Sequence, residues 1–293
     1  MKDIKLFVSV FRDRAESMGD IVPVSAGAAL YGENDVMLSL RDDGGDSISE
    51  KNPQYCELTV QYYVWKNLSF DAAGLMHQRR YFDLQRVYPV ARGKKPVSAR
   101  PYRIFDEPDA GTVEKLGLDH ERLCELLSEY PVIAPLRENI YQSVRDYYNK
   151  NDRRQFDDLA LLKEVIDDIC PQYSGPAEEY LSSRYAYFCN MLIMDRERFC
   201  DYSEWLFSVL SEYERRKPQQ YFCPREQGKL AERLFGVYMA YLTGCTDIPC
   251  AEAPRAHFAG LAGTTARNPS FNKKYYALFP PGSWRRGLLR KIK

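Results

Sequence analysis

Histidine is scarce in this chain, three residues in 293 (His77, His120 and His257), and no two stand at metal-binding spacing. The eight cysteines (Cys56, Cys124, Cys170, Cys189, Cys200, Cys223, Cys245 and Cys250) include no Cys-x-x-Cys pair. Structural zinc and thioredoxin-like redox chemistry therefore lack their spacing. There is no Gly-x-Gly-x-x-Gly turn, Walker loop or Gly-x-Ser-x-Gly elbow, which weighs against dinucleotide dehydrogenases, P-loop enzymes and α/β-hydrolases. No apolar run approaches the roughly 18 residues of a membrane span. The stretch Leu6 to Phe11, behind an acidic start, is too short for a secretion-signal core. We expect a reduced, cytoplasmic setting in which the cysteines act mostly as small core residues. Net charge is missing too: 41 Lys and Arg balance 41 Asp and Glu, whereas domains built for nucleic acid are usually basic.

What the chain does have is apolar and aromatic mass. Hydrophobic residues make up 45%, too many for a disordered chain, and 22 Tyr with 14 Phe point to a core and clefts rich in flat rings. A chain of this length buries about 70–75% of its unfolded surface, so one large domain or two unequal ones fit. Ile4 to Val10 is a continuous β-rich run, expected as a strand buried on both faces of an α/β sheet. Residues 12–47 read as a loop ending in Asp42-Asp43-Gly44-Gly45-Asp46-Ser47. Asn52-Pro53 reads as an N-cap and first helical proline, opening a helix that runs to about Trp65 and stops near Asn67. Phe70 to Met76 reads as a second buried strand delivering His77-Gln78-Arg79-Arg80 at its carboxyl end. Residues 89–117 read as a long surface excursion. Helices are expected at about 119–129, 135–149 and 156–169, within a largely helical insert spanning about 119–184. A third strand, Tyr185 to Met194, holds Asn190 and leads into an amphipathic helix capped by Asp195, with Phe199, Tyr202, Leu206, Val209 and Tyr213 as its stripe. A last helix covers about 228–242.

Ligands of open α/β sheets sit beyond the carboxyl ends of strands, which makes His77-Gln78-Arg79-Arg80 the leading site candidate. Its guanidiniums offer forked donors to phosphate oxygens. Neighbours on an extended chain point to opposite sides, so only one of Arg79 and Arg80 is expected to touch a given ligand; the plainer alternative pairs both with the acids at 42–46 or leaves them in solvent. Asp42, Asp43 and Asp46 have the hard oxygens a divalent cation prefers, but a Gly/Asp stretch is more often a turn, and the turn reading is preferred. Glu57 sits in the first half of the 53–65 helix. Glu232 falls roughly opposite Leu230 on the last helix, where a solvent-facing glutamate is the plainer reading and a general base at a cleft mouth the alternative. Asn190, on an apolar strand, needs a hydrogen-bonding partner from backbone or ligand.

Several stretches together carry a resemblance. They are Ile4-Lys5-Leu6-Phe7-Val8-Ser9; Asp42-Asp43-Gly44-Gly45-Asp46-Ser47-Ile48-Ser49; Lys51-Asn52 through Tyr55-Cys56-Glu57-Leu58-Thr59 to Trp65-Lys66-Asn67; and Gly74-Leu75-Met76-His77-Gln78-Arg79-Arg80-Tyr81-Phe82. Asn190-Met191-Leu192-Ile193-Met194, Trp205-Leu206-Phe207, and Arg225 with Gly228 through Glu232-Arg233-Leu234 complete the set. Over about residues 1–245 the chain resembles the bacterial capsular and exopolysaccharide glycosyltransferase-like family long labelled a domain of unknown function. The family pattern prefers Tyr where Gln78 stands and Asn where Ser47 stands. The resemblance implies an α/β fold, a GT-A-like mixed sheet flanked by helices. It also implies a glycosyltransferase moving sugar from a nucleotide-sugar donor, a UDP-sugar foremost, to a glycan or lipid-linked glycan acceptor. The donor site it implies draws on His77, Arg79, Arg80, Asp42, Asp43, Asp46, Asn52, Glu57, Lys66, Asn67, Asn190 and Arg225, with cationic side chains replacing most of a metal's role. Should a metal take part, it would be Mg or Mn on Asp42, Asp43 and Asp46; no other cofactor is implied. Glu232 is the implied base.

The charge balance hides an asymmetry. Residues 269–293 carry seven basic side chains and no acid, leaving 34 basic and 41 acidic in residues 1–268. Residues 280–293 mix Trp284, Leu288, Leu289 and Ile292 with cations, which suits an anionic membrane surface, where each Lys or Arg is worth about 1 kcal/mol; a solvated tail is the alternative. The expected organisation is a catalytic domain over 1–245 and an extension over 246–293, peripheral to the inner face of the cytoplasmic membrane. Two other classes stay open: a metal-dependent nucleotidyl- or phosphotransferase, and a non-catalytic scaffold of a polysaccharide assembly complex.

Overall fold

The computed structural model describes residues 2–11, 15–31, 40–90, 97, 99–152 and 156–259. The membrane expectation for residues 280–293 lies outside them. β1 (Ile4–Val10) runs parallel to β2 (Ile21–Ser25) along one edge and to β3 (Ala72–His77) along the other. A tight hairpin, with His77 opposite Arg80, leads into β4 (Arg80–Phe82). Then come β5 (Tyr88–Pro89), β6 (Tyr102–Phe105), β7 (Val132–Pro135), β8 (Glu138–Asn139), β9 (Tyr185–Ala186), β10 (Leu192–Asp195), β11 (Cys250–Ala253) and β12 (Arg255–Phe258). Among the described residues the main sheet runs β5-β11-β7-β10-β3-β4-β12-β6, with β1 and β2 on the free edge of β3; β8 and β9 form a separate ribbon.

Alternation in β1 explains why both faces are covered. Ile4, Leu6, Val8 and Val10 pack on one face with Ile21, Met76, Leu123 and Leu126, whereas Phe7 joins the opposite core with Ala73 and Leu75. Small residues let β3 sit between two close neighbours. A Cβ on Gly74 would stand 2.5 Å from Leu6 Cδ2 and 3.1 Å from Ile193 Cγ1, so a side chain there would require the neighbouring Leu6 and Ile193 side chains to shift.

The helices are α1 (Asn52–Tyr55), α2 (Leu58–Asn67), α3 (Ala110–Lys115), α4 (His120–Glu129), α5 (Val144–Asp152), α6 (Asp158–Ile169), α7 (Ser174–Ser182), α8 (Arg196–Arg216) and α9 (Glu226–Cys245). Asp195 caps α8 as expected, accepting from Arg198 N at 2.9 Å. The anticipated stripe, Phe199, Tyr202, Leu206, Val209 and Tyr213, is fully buried, each side chain contributing about 1.5–3 kcal/mol. A buried ionic knot joins α6, α8 and α9: Lys217 Nζ lies 2.5 Å from Asp158 and 2.7 Å from Glu226, all shielded from solvent.

Several expectations are corrected. The 12–47 loop contains β2, which pairs with β1 despite the proline at 23. The helix expected over 53–65 is broken at Cys56, whose φ of 53° and ψ of −131° cannot continue a helix, so Glu57 stands at the N-cap position of α2, without a side-chain capping bond, instead of lying inside a helix. Asn52 makes no capping bond; its Nδ2 donates to Cys56 O at 2.9 Å and Thr59 Oγ1 at 3.1 Å, bracing the break. The strand expected over 185–194 is two short strands separated by a turn at Cys189-Asn190. Residues 132–135, expected within the largely helical insert, form β7 inside the main sheet between β10 and β11. A boundary at 245 would strip away β11 and β12, which pair with β7 and β4. Of the eight cysteines only Cys170 and Cys250 are buried, so most are not core residues; none forms a disulfide.

Candidate active site

The carboxyl ends of β1 and β3 lie side by side, with Ser9 opposite His77. The hairpin after His77 is pinned across this edge. Gln78 N donates to Ser9 O at 3.1 Å, and Phe11 N donates to Gln78 Oε1 at 3.2 Å. Gln78 and Arg79 form the turn, so the strand alternation expected to separate Arg79 from Arg80 does not apply. Because β10 is antiparallel to β3, the Cys189-Asn190 turn before it reaches the same end. α9 arrives against the α1–α2 break, where a Cβ on Gly228 would stand 3.3 Å from Cys56 Sγ and 3.4 Å from Tyr55 O.

Asn190 ties these segments together, its Nδ2 donating to Glu57 Oε1 at 2.7 Å and to Gly228 O at 2.8 Å. His77 Nε2 lies 2.7 Å from Cys189 O and 3.5 Å from Glu57 Oε1. Both neighbours are acceptors, which assigns the hydrogen to Nε2. Glu232 is half-buried, not solvent-facing: its Oε1 accepts from Cys189 N at 2.7 Å and its Oε2 from Arg233 Nη1 at 2.6 Å. The backbone is strained where these contacts converge. Among the described residues five non-glycines have positive φ, and four are here: Cys56 (53°), Cys189 (82°), Asn190 (43°) and Arg225 (62°). Such conformations cost on the order of 1–3 kcal/mol each and persist only where the surroundings over-determine them, most often at functional sites.

The electrostatics point to an anion. Burial, then the charges of Arg80 and Arg225, loosen the hold of Arg79 on its proton, whereas Cys56, Glu57 and Glu232 favour the charged form of Arg225. Arg80 Nε and Asn190 Oδ1 are buried without a hydrogen-bonding partner, an arrangement a ligand's polar groups would complete. Burial alone would raise Glu57, but the His77 charge and the hydrogen bonds from His77 and Asn190 outweigh it and hold the carboxyl down at about 2. Glu57 is therefore a fixed anion and a poor base. Burial and the Glu57 charge push the Cys56 thiol up to about 11, which leaves it uncharged and weakly nucleophilic at neutral pH.

The other sequence candidates are committed elsewhere. Asp42 is fully buried and accepts from Gly27 N at 2.8 Å, Ala28 N at 3.0 Å and Ser49 Oγ at 2.5 Å. Asp43 pairs with Arg41, and Asp46 accepts from Tyr62 Oη at 3.1 Å. Each of these acids thus has a partner within or beside its own turn. Asn67 clamps the same turn, its Nδ2 donating to Asp46 O at 2.7 Å and its Oδ1 accepting from Asp46 N at 2.9 Å, while Lys66 Nζ lies 3.6 Å from the Trp65 ring centroid. The three aspartates do not fit Mg or Mn, because the Asp42 carboxylate already has three donors. Among the described residues no three His, Cys, Asp or Glu side chains gather as a metal site. Sequence reasoning missed Cys189 and Arg255. The buried Arg255 guanidinium braces the Cys189 turn, donating from Nη1 to Cys189 Sγ at 3.0 Å and from Nη2 to Glu138. An arginine within the weak apolar pattern after residue 246 was the one available signal.

A family described as a domain of unknown function, DUF4422, matches residues 11–243. Among solved structures the chain is similar to the apo structure of WbbM, a bifunctional glycosyltransferase, with 26% identity and a TM-score of 0.76 over 90% of this chain and 48% of that one. The chain spans about half the length of that protein. The curled mixed sheet flanked by helices is thus a glycosyltransferase fold, as expected. No match is found among curated proteins.

Proposed function

Because the chain belongs to the DUF4422 family, and 90% of it shares its fold with a glycosyltransferase, we propose that it moves a sugar from a nucleotide-sugar donor, a UDP-sugar foremost, to a glycan or lipid-linked glycan acceptor in bacterial surface polysaccharide synthesis. The observation that carries this reading is the crowding of Arg79, Arg80 and Arg225 at the strained carboxyl end of the parallel strands, with Arg80 Nε unmet. A donor diphosphate fits there, its oxygens matching guanidinium forks. As the sugar's bond to the diphosphate breaks, these cations stabilise the charge that develops on the leaving group. Glu232 takes the acceptor hydroxyl's proton as the new glycosidic bond forms; Glu57 is unsuited to that task, being held as an anion by His77 and Asn190. Among the described residues no helix is long and apolar enough to cross a membrane, and the working location in this reading is the cytoplasmic side, with residues 280–293 resting on anionic lipid.

Thermal-shift measurements against UDP, GDP, CMP and their sugars test the reading, since a ligand bound by the native state raises its stability by mass action. A shift with at least one nucleotide is expected, and its absence with all of them would favour the scaffold alternative. Activity lost to EDTA and restored by Mg or Mn would overturn the substitution of cations for a metal.

A further inference from the structure

A second group of reactive side chains lies away from the strand ends. Asp20 immediately precedes β2, and its carbonyl accepts from Leu6 N at 2.8 Å, which places it beside β1 well short of Ser9. Across from it α4 begins at His120, with Asp119 capping the helix by accepting from Arg122 N at 2.9 Å. A regular helix puts His120 and Cys124, four residues apart, on one face. His120 Nδ1 lies 2.6 Å from Asp20 Oδ2, and His120 Nε2 lies 3.5 Å from Cys124 Sγ. A carboxylate only accepts, so Nδ1 carries the hydrogen and Nε2 turns its lone pair to the thiol. Thiol, base and orienting carboxylate stand in series, the arrangement that activates a nucleophile. The His120 and Asp20 side chains are 30% and 17% exposed, shielded yet within reach of a small molecule.

We propose that Cys124, with His120 as its base and Asp20 positioning that base, is a modification site that reacts with low-molecular-weight disulfides. The Cys124 S–H proton passes to His120 Nε2 as Sγ attacks one sulfur of the disulfide. A protein–small-molecule S–S bond forms, the original S–S bond breaks, and the departing thiolate takes the proton back from Nε2. One thiol and one disulfide become another disulfide and another thiol, so no further oxidant is needed. The site draws on none of the residues of the strand-end cluster.

The test incubates the full-length reduced protein with oxidised glutathione at neutral pH and follows each cysteine by peptide mass spectrometry. Cys245 is exposed and serves as the reference within the same molecule. Access alone would make the half-buried Cys124 the slower of the two; the proposal expects it to be about tenfold faster or more. His120→Gln and Asp20→Asn should each slow Cys124 about tenfold without changing Cys245, and Asp20→Glu should restore it. Equal or slower reaction at Cys124 in the unmodified protein overturns the proposal without requiring any variant to fold. An unchanged Cys124 rate in His120→Gln overturns it as well.

Discussion

The strand-end cluster and the acidic turn at residues 42–47 are both dense in charge and both belong to blocks that suggested a donor site, yet they differ in how that charge is met. In the turn every carboxylate has its partners: Asp42 takes three donors, Asp43 has Arg41, and Asp46 has Tyr62. At the strand ends Arg79 is opposed by the charges of Arg80 and Arg225, Arg80 Nε and Asn190 Oδ1 go unmet, and four residues sit in strained backbone. Charge density alone therefore does not mark a site. Buried polar atoms that the fold brings together and leaves without a hydrogen bond, as it leaves Arg80 Nε and Asn190 Oδ1, do, because the fold bears a free-energy cost that a ligand can relieve.

The strongest way to break this comparison is at Glu232. Glu232→Gln keeps an oxygen to accept from Cys189 N but removes the base. Turnover should fall by about 10²–10⁴-fold while donor affinity holds; a variant that turns over normally removes Glu232 from the mechanism. Asp42→Ala should act in the opposite sense. It strands two backbone N–H groups and the Ser49 hydroxyl inside the protein, and each stranded group costs about 1–3 kcal/mol. Denaturant midpoints should drop accordingly, with nucleotide affinity per folded molecule unchanged. Normal stability with lost affinity would reverse the roles of the two regions.

Arg79→Ala and Arg225→Ala probe the cationic side. Each should weaken nucleotide-sugar binding about tenfold or more, the usual worth of a hydrogen bond to a charged group. A fall in melting temperature with unchanged affinity would make these arginines structural.

The legible parts of the fold were those set by local pattern. β1 showed as an unbroken apolar run, and the α8 stripe showed as helical spacing, since both obey one periodicity. β2 was hidden by Pro23, and β7 by its four-residue length between helical patterns. β11 and β12 were hidden by small residues that carry little hydrophobic signal. At the candidate site, the strand-end rule pointed to His77, Arg79 and Arg80, and the residues alone marked Asn190 as needing a partner and Glu232 as an alternative base, but only the family resemblance joined these distant residues into one site and added Arg225. The breaks at Cys56 and Cys189 could not be read locally. A cysteine does not favour positive φ, and these two adopt it where Gly228, Glu232 and Arg255 contact them in the folded molecule.

The finest comparison between the two regions is their response to acid. Each contains a carboxylate held below its ordinary value: Glu57 at about 2, by His77 and Asn190 against burial, and Asp43 by its hydrogen bond with Arg41. For Glu57 the unfolded chain takes up its proton near 4.5 and the folded chain near 2, so the interaction contributes fully above 4.5 and is lost as pH falls from there towards 2. By about pH 4 the loss from this group should be about 1 kcal/mol. Denaturant midpoints at neutral pH and at about pH 4 measure it, with Glu57→Gln and Asp43→Asn compared with the unmodified protein. Glu57→Gln should flatten the acid dependence by that amount and lower neutral-pH stability, because Asn190 Nδ2 loses a charged acceptor. If the acid dependence stays as steep in Glu57→Gln but flattens in Asp43→Asn, the ionised carboxylate that matters for folding belongs to the turn, and Glu57 is not the fixed anion that organises the strand ends.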